Sequence, residues 1–231
     1  MKAVVLSSGG VDSTTALAMA IDKYGKDNVT SLSVTYGQKH SKELIKAKEI
    51  AEYYGVDHKE MNLYNIYMDN KSCTLLAGNA DMEHKSYAEQ QEESKTGIVN
   101  TYVPFRNGAM IANAAAMAMG IYPDEQIVLY LGAHADDAAG NAYPDCSKDF
   151  TDAMYKAVRY GTGGFVTCEA PFVGLHKADI VKIGLELNVP YELTWSCYEG
   201  GEVQCGTCGT CIDRKKAFEA NGVTDPVPYK E

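Results

Sequence analysis

Two stretches of the 231-residue chain carry side chains whose type and spacing can do chemistry. The first is Ser7-Ser8-Gly9-Gly10-Val11-Asp12-Ser13. Two adjacent glycines let the chain take φ > 0 and leave no Cβ to block a close ligand. Asp12 and Ser13 stand where an N-cap belongs, so a helix starting there offers free N–H donors and the positive end of its dipole. That chemistry is anion binding, and phosphate is the expected anion. No lysine follows the glycines as a Walker A loop requires, and the G-x-G-x-x-G spacing of a dinucleotide loop is absent.

The second stretch holds Cys197, Cys205, Cys208 and Cys211 in the pattern C-x7-C-x2-C-x2-C. Four thiolates at such spacing can close a tetrahedron around Zn²⁺, and a complete set of protein ligands marks a structural site. Gly200, Gly201, Gly206 and Gly209 supply the turns. An iron–sulfur cluster is the alternative, although the C-x3-C-P element common in ferredoxins is missing. Cys73, Cys146 and Cys168 are scattered, and Cys146 reads as a packing residue.

These groups need a scaffold. Ala3–Leu6 reads as a buried strand, and Thr14–Ile21 as a buried helix ending before Gly25. Val29–Tyr36 is a β-branched second strand, Ser41–Tyr54 an amphipathic helix, and His58–Leu63 a third strand. A helix over Gly108–Met119, a strand over Gln126–Leu131, a helix over Asp149–Tyr160, a strand over Phe165–Ala170 and a helix over Lys177–Leu187 continue the alternation. Asn107 is placed to cap the Gly108 helix. Strand and helix alternating in this way predict an α/β fold with a doubly wound, mainly parallel sheet. Ligands then bind beyond the carboxyl ends of the strands, which puts Gly132–Asp137 on the same rim as Gly9-Gly10. Residues 64–97 break the rhythm and predict a mobile cover over the site. The economical division is residues 1–190 as the α/β domain and 191–231 as a small cysteine-bearing helical appendage.

The net charge of −10 argues against an extended phosphate-backbone face, so direct nucleic-acid binding is not expected. No apolar run approaches the ~20 residues of a membrane helix, and Lys2 precedes too short an apolar stretch for a secretory leader. A cytoplasmic protein is expected.

The segment S-G-G-x-D-S resembles the loop of the PP-loop ATP pyrophosphatase superfamily, in which it binds the pyrophosphate side of ATP. The ordered set of Ser8–Thr15, Val103-Pro104-Phe105-Arg106-Asn107, Tyr143-Pro144-Asp145-Cys146, Lys177 and Thr194-Trp195-Ser196-Cys197-Tyr198 resembles the 7-cyano-7-deazaguanine synthase family nearly end to end. The resemblance implies an adenine nucleotide alpha hydrolase-like fold and an ATP-dependent carbon–nitrogen ligase. Its substrates would be 7-carboxy-7-deazaguanine, ammonia and ATP, its product the nitrile, and its intermediates an adenylated carboxylate and an adenylated amide. By matching position it puts Ser7, Ser8, Gly9, Gly10, Val11, Asp12, Ser13, Thr14, Thr15, Ala16 and Leu17 at the nucleotide. It gives Asp12, Lys177 and Arg106 catalytic roles on phosphate charge, and it turns Asp136, Tyr143, Asp145 and Arg214 toward the substrate. It also implies one structural Zn²⁺, Mg²⁺ carried with ATP, free ammonia and a homodimer. The chain departs from the family around Asp136-Asp137, where either acid could be the substrate contact, and over residues 64–97. A PP-loop tRNA-modifying ligase or thiolase, an amide-forming 7-deazaguanine synthetase and a non-enzymatic zinc-knuckle module stand as the rival readings. Whether the product feeds tRNA or DNA modification is left open.

Overall fold

The computed structural model describes residues 1–80 and 87–230. Five strands, β1 (Lys2–Leu6), β2 (Val29–Thr35), β3 (Asp57–Asn62), β4 (Ile127–Tyr130) and β5 (Val166–Glu169), form one sheet in the order β3-β2-β1-β4-β5. Every neighbouring pair is parallel, as the predicted doubly wound class requires. Parallel neighbours need long crossovers, and helices supply them. In chain order these are α1 (Val11–Tyr24), α2 (Lys42–Tyr54), α3 (Tyr64–Tyr67), α4 (Tyr87–Glu93), α5 (Arg106–Ile121), α6 (Ala135–Ala138), α7 (Lys148–Gly161), α8 (Lys177–Glu186) and α9 (Gly209–Ala220).

Helices on both faces explain why β1 and β4 read as unbroken apolar runs. Alternate residues of β1 feed two different cores. Val4 and Leu6 pack with Leu32, Val34, Ile111, Ala114 and Leu129 under α5. Ala3 and Val5 pack with Leu17, Ile50, Val128 and Ile180 under α1, α2 and α8. The chain runs outward from β1 to β3, then returns to β4 on the other side of β1. The reversal lies between β1 and β4, where such sheets bind ligands.

Three expectations are corrected. First, α1 begins at Val11 with Gly10 as N-cap, so Asp12 sits in the first turn and caps nothing. Second, α5 begins at Arg106, ahead of the predicted Gly108, and its N-cap is Phe105 at φ 56°. Asn107 is thus inside the helix. Third, within 64–97 the side chains of Tyr67, Cys73, Leu75 and Leu76 belong to the α5-side core. The backbone there is tied as well, Lys39 N–H donating to Leu75 O at 2.9 Å and Thr74 N–H to Asn100 O at 3.0 Å. This part is a packed wall, its apolar residues spaced too irregularly to signal an element. Residues 81–86 of the expected cover lie outside the described residues.

Residues after Pro190 share a core with the sheet domain. Ala217 and Phe218 of α9 pack on Val11, Ala18 and Val181. The Phe218 and Tyr191 rings meet edge to face at 5.1 Å. No helix among the described residues is long and apolar enough to cross a membrane.

Candidate active site

The loop after β1 is held from two sides. Gly9 adopts φ 79°, and a Cβ there would lie 2.7 Å from Ala47 N and from Glu43 O, so the first turns of α2 press directly on it. Opposite, Trp195 N–H donates to Gly9 O at 2.8 Å. Ser8 and Ser13 hydroxyls meet at 3.1 Å, and Ser8 N–H donates to Ser13 Oγ. No side chain caps the first turn of α1, so its N–H groups face the cavity as anion donors. Ser7, Ser8, Gly10, Asp12 and Ser13 line that cavity. Val11, Ala16 and Leu17 point into the cores, and Thr14 and Thr15 bond back to Gly10 O and Val11 O. These five hold the loop from behind.

Lys177 opens α8 and brings its ammonium to 3.0 Å from Asp12 Oδ2. Burial alone would lower the Lys177 pKa, but the charges of Asp12 and Asp137 hold it above the usual lysine value. Burial would raise Asp12, yet Lys177 and His134 keep it below the ordinary carboxylate range. Asp12 therefore stays ionised, and its Oδ1 is a buried oxygen with no hydrogen-bond partner among the described residues. His134, 2 % exposed, stands 3.7 Å from Asp12 and 3.3 Å from Asp137, with neither ring nitrogen hydrogen-bonded to any described residue.

Of the two adjacent acids, Asp137 lines the cavity. Asp136 turns the other way. It accepts Lys177 N–H at 2.7 Å and lies 2.6 Å from His176 Nδ1, which places a carboxylate on the first turn of α8. Asp136, expected at the substrate, is thus outside the cavity lining, with Oδ2 on Lys177 N–H and Oδ1 on His176.

Tyr143 and Asp145 also lie off the cavity. Tyr143 bonds to Thr101 Oγ1 at 2.6 Å, both buried. Asp145 Oδ2 accepts the backbone N–H of Asn107 at 2.9 Å, a buried carboxylate holding the start of α5. Asn107 returns the bond to Asp145 O and also donates to Cys146 Sγ. That clamp aims Arg106, the next residue toward the N-terminus, into the cavity. Cys146 lines the same wall. Burial, Asp137 and Asp145 push its pKa well above the ordinary thiol value, which disfavours the thiolate.

Arg214, also expected at the substrate, is not in the cavity lining. It is fully buried and donates to both oxygens of Asp225 at 2.7 and 2.9 Å, to Thr194 Oγ1 at 2.7 Å and to Tyr191 O at 3.2 Å. Every nitrogen of its fork serves the C-terminal segment, which leaves none for a substrate.

The cavity itself has about 1340 Å³ of empty space, its open mouth included. Its lining adds groups that sequence reasoning missed: Tyr36 and Gln38 after β2, Glu43 in α2 and Asp213 in α9. No local motif marks them. They are single residues in first turns and loops, assembled by the sheet order. Burial pushes the Glu43 carboxyl up to about 7.

The four predicted cysteines are buried, with their sulfur atoms all within 4.8 Å of one another. Zinc–sulfur bonds near 2.3 Å in a tetrahedron need such spacing. Backbone N–H groups of Glu199 and Cys205 point at Cys197 Sγ, and those of Thr207 and Cys208 at Cys205 Sγ, as suits thiolate ligands. The donor set fits a metal ion. Cys197 lies between Ser196 and Tyr198, both cavity-lining, so the cluster is built into the wall.

A five-stranded parallel sheet with a glycine loop at its reversal, facing a lysine–aspartate pair, places this chain among doubly wound α/β proteins with an anion-binding site at the switch point. The fold agrees with that of NMN synthetase from Francisella tularensis, with a TM-score of 0.51 at 15 % identity over 96 % of this chain and 78 % of that one. Residues 2–222 match the model of the queuosine biosynthesis protein QueC, and the chain belongs to that family. Relatives named 7-cyano-7-deazaguanine synthase include one from Archaeoglobus fulgidus, 42 % identical over 98 % of this chain and 90 % of its own. Another, from Caldicellulosiruptor saccharolyticus, is 40 % identical over 100 % of this chain and 96 % of its own.

Proposed function

We propose that the chain is an ATP-dependent carbon–nitrogen ligase that makes 7-cyano-7-deazaguanine from 7-carboxy-7-deazaguanine and ammonia. A carboxylate resists ammonia because its leaving group is oxide. Its oxygen attacks the α-phosphorus of ATP, releasing pyrophosphate and leaving an acyl adenylate. Ammonia displaces AMP to give the amide and a proton. The amide oxygen is then adenylated by a second ATP, and loss of AMP and the remaining N–H protons gives the nitrile.

The observation that carries this reading is the shared cavity, in which the Ser8–Ser13 loop and the Lys177–Asp12 pair stand on the same walls as Arg106 and Asp137. In it the first-turn N–H groups of α1 and the Ser8 and Ser13 hydroxyls bind the pyrophosphate portion. Lys177 neutralises charge that grows on the departing pyrophosphate, a preorganised electrostatic role. Enclosure holds the carboxylate against the α-phosphorus. Mg²⁺ bound with ATP adds Lewis-acid charge neutralisation, and the unpartnered Asp12 Oδ1 is an oxygen donor of the type it takes. The cysteine cluster is read as a structural zinc site, since four protein sulfurs leave no open position.

The reading includes the 191–231 segment as an appendage defined by its metal, a cytoplasmic location, a homodimer, free ammonia and no direct contact with nucleic acid. The net charge of −10 supports the last point. The test is incubation with 7-carboxy-7-deazaguanine, ammonium and ATP, followed by mass spectrometry. The nitrile, AMP and pyrophosphate are expected. Product that stops at the amide would point to a synthetase of the amide alone, and release of ADP with orthophosphate would refute the chemistry.

A further inference from the structure

Asp136 and Asp145 are withdrawn from the cavity, and so the deazaguanine ring lacks the acceptor its N1–H and N2–H₂ edge requires. Three carboxylates besides Asp12 do line it: Asp137, Asp213 and Glu43. Asp137 and Asp213 both lie in the field of Lys177, at the phosphate end. Glu43 does not. The cation that faces it is Arg106, and Tyr36 and Tyr198 flank that region.

Glu43 and Arg106 are unmatched in complementary ways. Glu43 has no hydrogen bond or ion pair among the described residues, although burial penalises its charge. Among the described residues Arg106 Nε is a buried donor with no partner and the guanidinium makes one long hydrogen bond, NH1 to Tyr36 Oη at 3.4 Å, with the Asp145 carboxylate in its field but not bonded to it. The two do not pair with each other. Buried polar groups are ordinarily satisfied, so the buried Arg106 Nε beside a half-buried, unmatched Glu43 carboxylate on one wall leaves room for a ligand with both kinds of group. The Tyr36 ring lies 5.5 Å beneath the guanidinium, which gives the pair a flat apolar neighbour suited to a planar ring.

We propose that Glu43 and Arg106 read the base of the substrate, the Glu43 carboxylate accepting N1–H and N2–H₂ while Arg106 Nε–H donates to O6. Guanine-type edges present acceptor, donor and donor in that order, and the pair supplies donor and acceptor beside it. The assignment rests on the synthase reading above and names the residues that give it specificity.

The experiment compares nitrile formation from 7-carboxy-7-deazaguanine with that from its analogue lacking the 2-amino group, in the wild type and in Glu43→Gln. The wild type should favour the amino-bearing substrate in kcat/KM by about 10- to 100-fold, the worth of hydrogen bonds to a buried charge. In Glu43→Gln that preference should fall to a few-fold, through KM, with ATP affinity unchanged. Arg106→Lys should weaken both substrates alike. If the wild type makes no nitrile, the synthase reading has failed. If it makes nitrile and Glu43→Gln keeps the full preference, or loses ATP affinity instead, the base-reading assignment is overturned.

Discussion

Lys177 Nζ stands 3.0 Å from Asp12 Oδ2, although 165 residues separate them in the chain. The pair ties the start of α8 to the first turn of α1, beside the glycine loop. Side-chain exposures of 10 % and 22 % give the attraction more weight than a surface pair has. Asp12→Asn keeps the shape and removes the charge. Pyrophosphate release should fall by about 10²–10³-fold, on the scale of losing one preorganised electrostatic group. Circular dichroism should be unchanged, and near-normal release would remove Asp12 from the phosphate machinery.

In the proposed mechanism Asp136 is a positioning residue that acts through Lys177. Its carboxylate takes the Lys177 N–H at 2.7 Å and so fixes where α8 starts. Asp136→Ala should cost about 1 kcal/mol of stability, the usual worth of a first-turn partner. It should lower kcat while leaving the KM for the deazaguanine near its wild-type value. A change confined to that KM would return Asp136 to the substrate.

Metal and catalysis should be linked through the wall that Ser196 and Tyr198 share with Cys197. Cys208→Ser should reduce bound zinc, measured by atomic absorption, and lower the melting temperature with it. Trp195 N–H holds Gly9 O, so ATP affinity should fall in the same variant. Full ATP binding by a zinc-free, folded protein would dissociate the two.

Glu43 sets a pH dependence. Burial raises its carboxyl from 4.5 to about 7, the Arg106 cation opposing the rise and Cys197 adding to it. Between those values the folded chain holds the proton more tightly than the unfolded one. Stability therefore declines as pH rises from about 4.5 to 7 and is level above. Glu43→Gln removes this contribution, on the order of 1–3 kcal/mol. The variant should melt roughly 2–10 °C above the wild type at pH 8 and close to it near pH 4.5. Equal melting temperatures at both pH values would mean the carboxyl is not held in this way.

Arg214→Ala should be a folding defect. It strands Asp225 in a buried site, where removing one partner of a buried pair costs about 3–5 kcal/mol. Urea titration should show the loss, and whatever protein remains folded should bind substrate with wild-type affinity.

Local chemistry was legible in the amino-acid sequence wherever the signal is short-range. The glycine loop, the four cysteines and the strand–helix alternation are each set by neighbours within about ten residues, through dihedral freedom, ligand spacing and hydrophobic period. The tertiary structure alone decided which side chains share the cavity. Asp136 and Asp137 are adjacent, yet the turn of α6 sends one to α8 and the other to the site. Arg214 looks like a free cation until the C-terminal segment folds Asp225 onto it. Glu43 carries no motif, and it enters the site because α2 presses on Gly9. The physical reason is the parallel sheet, which gathers strand ends and helix starts from distant parts of the chain onto one rim.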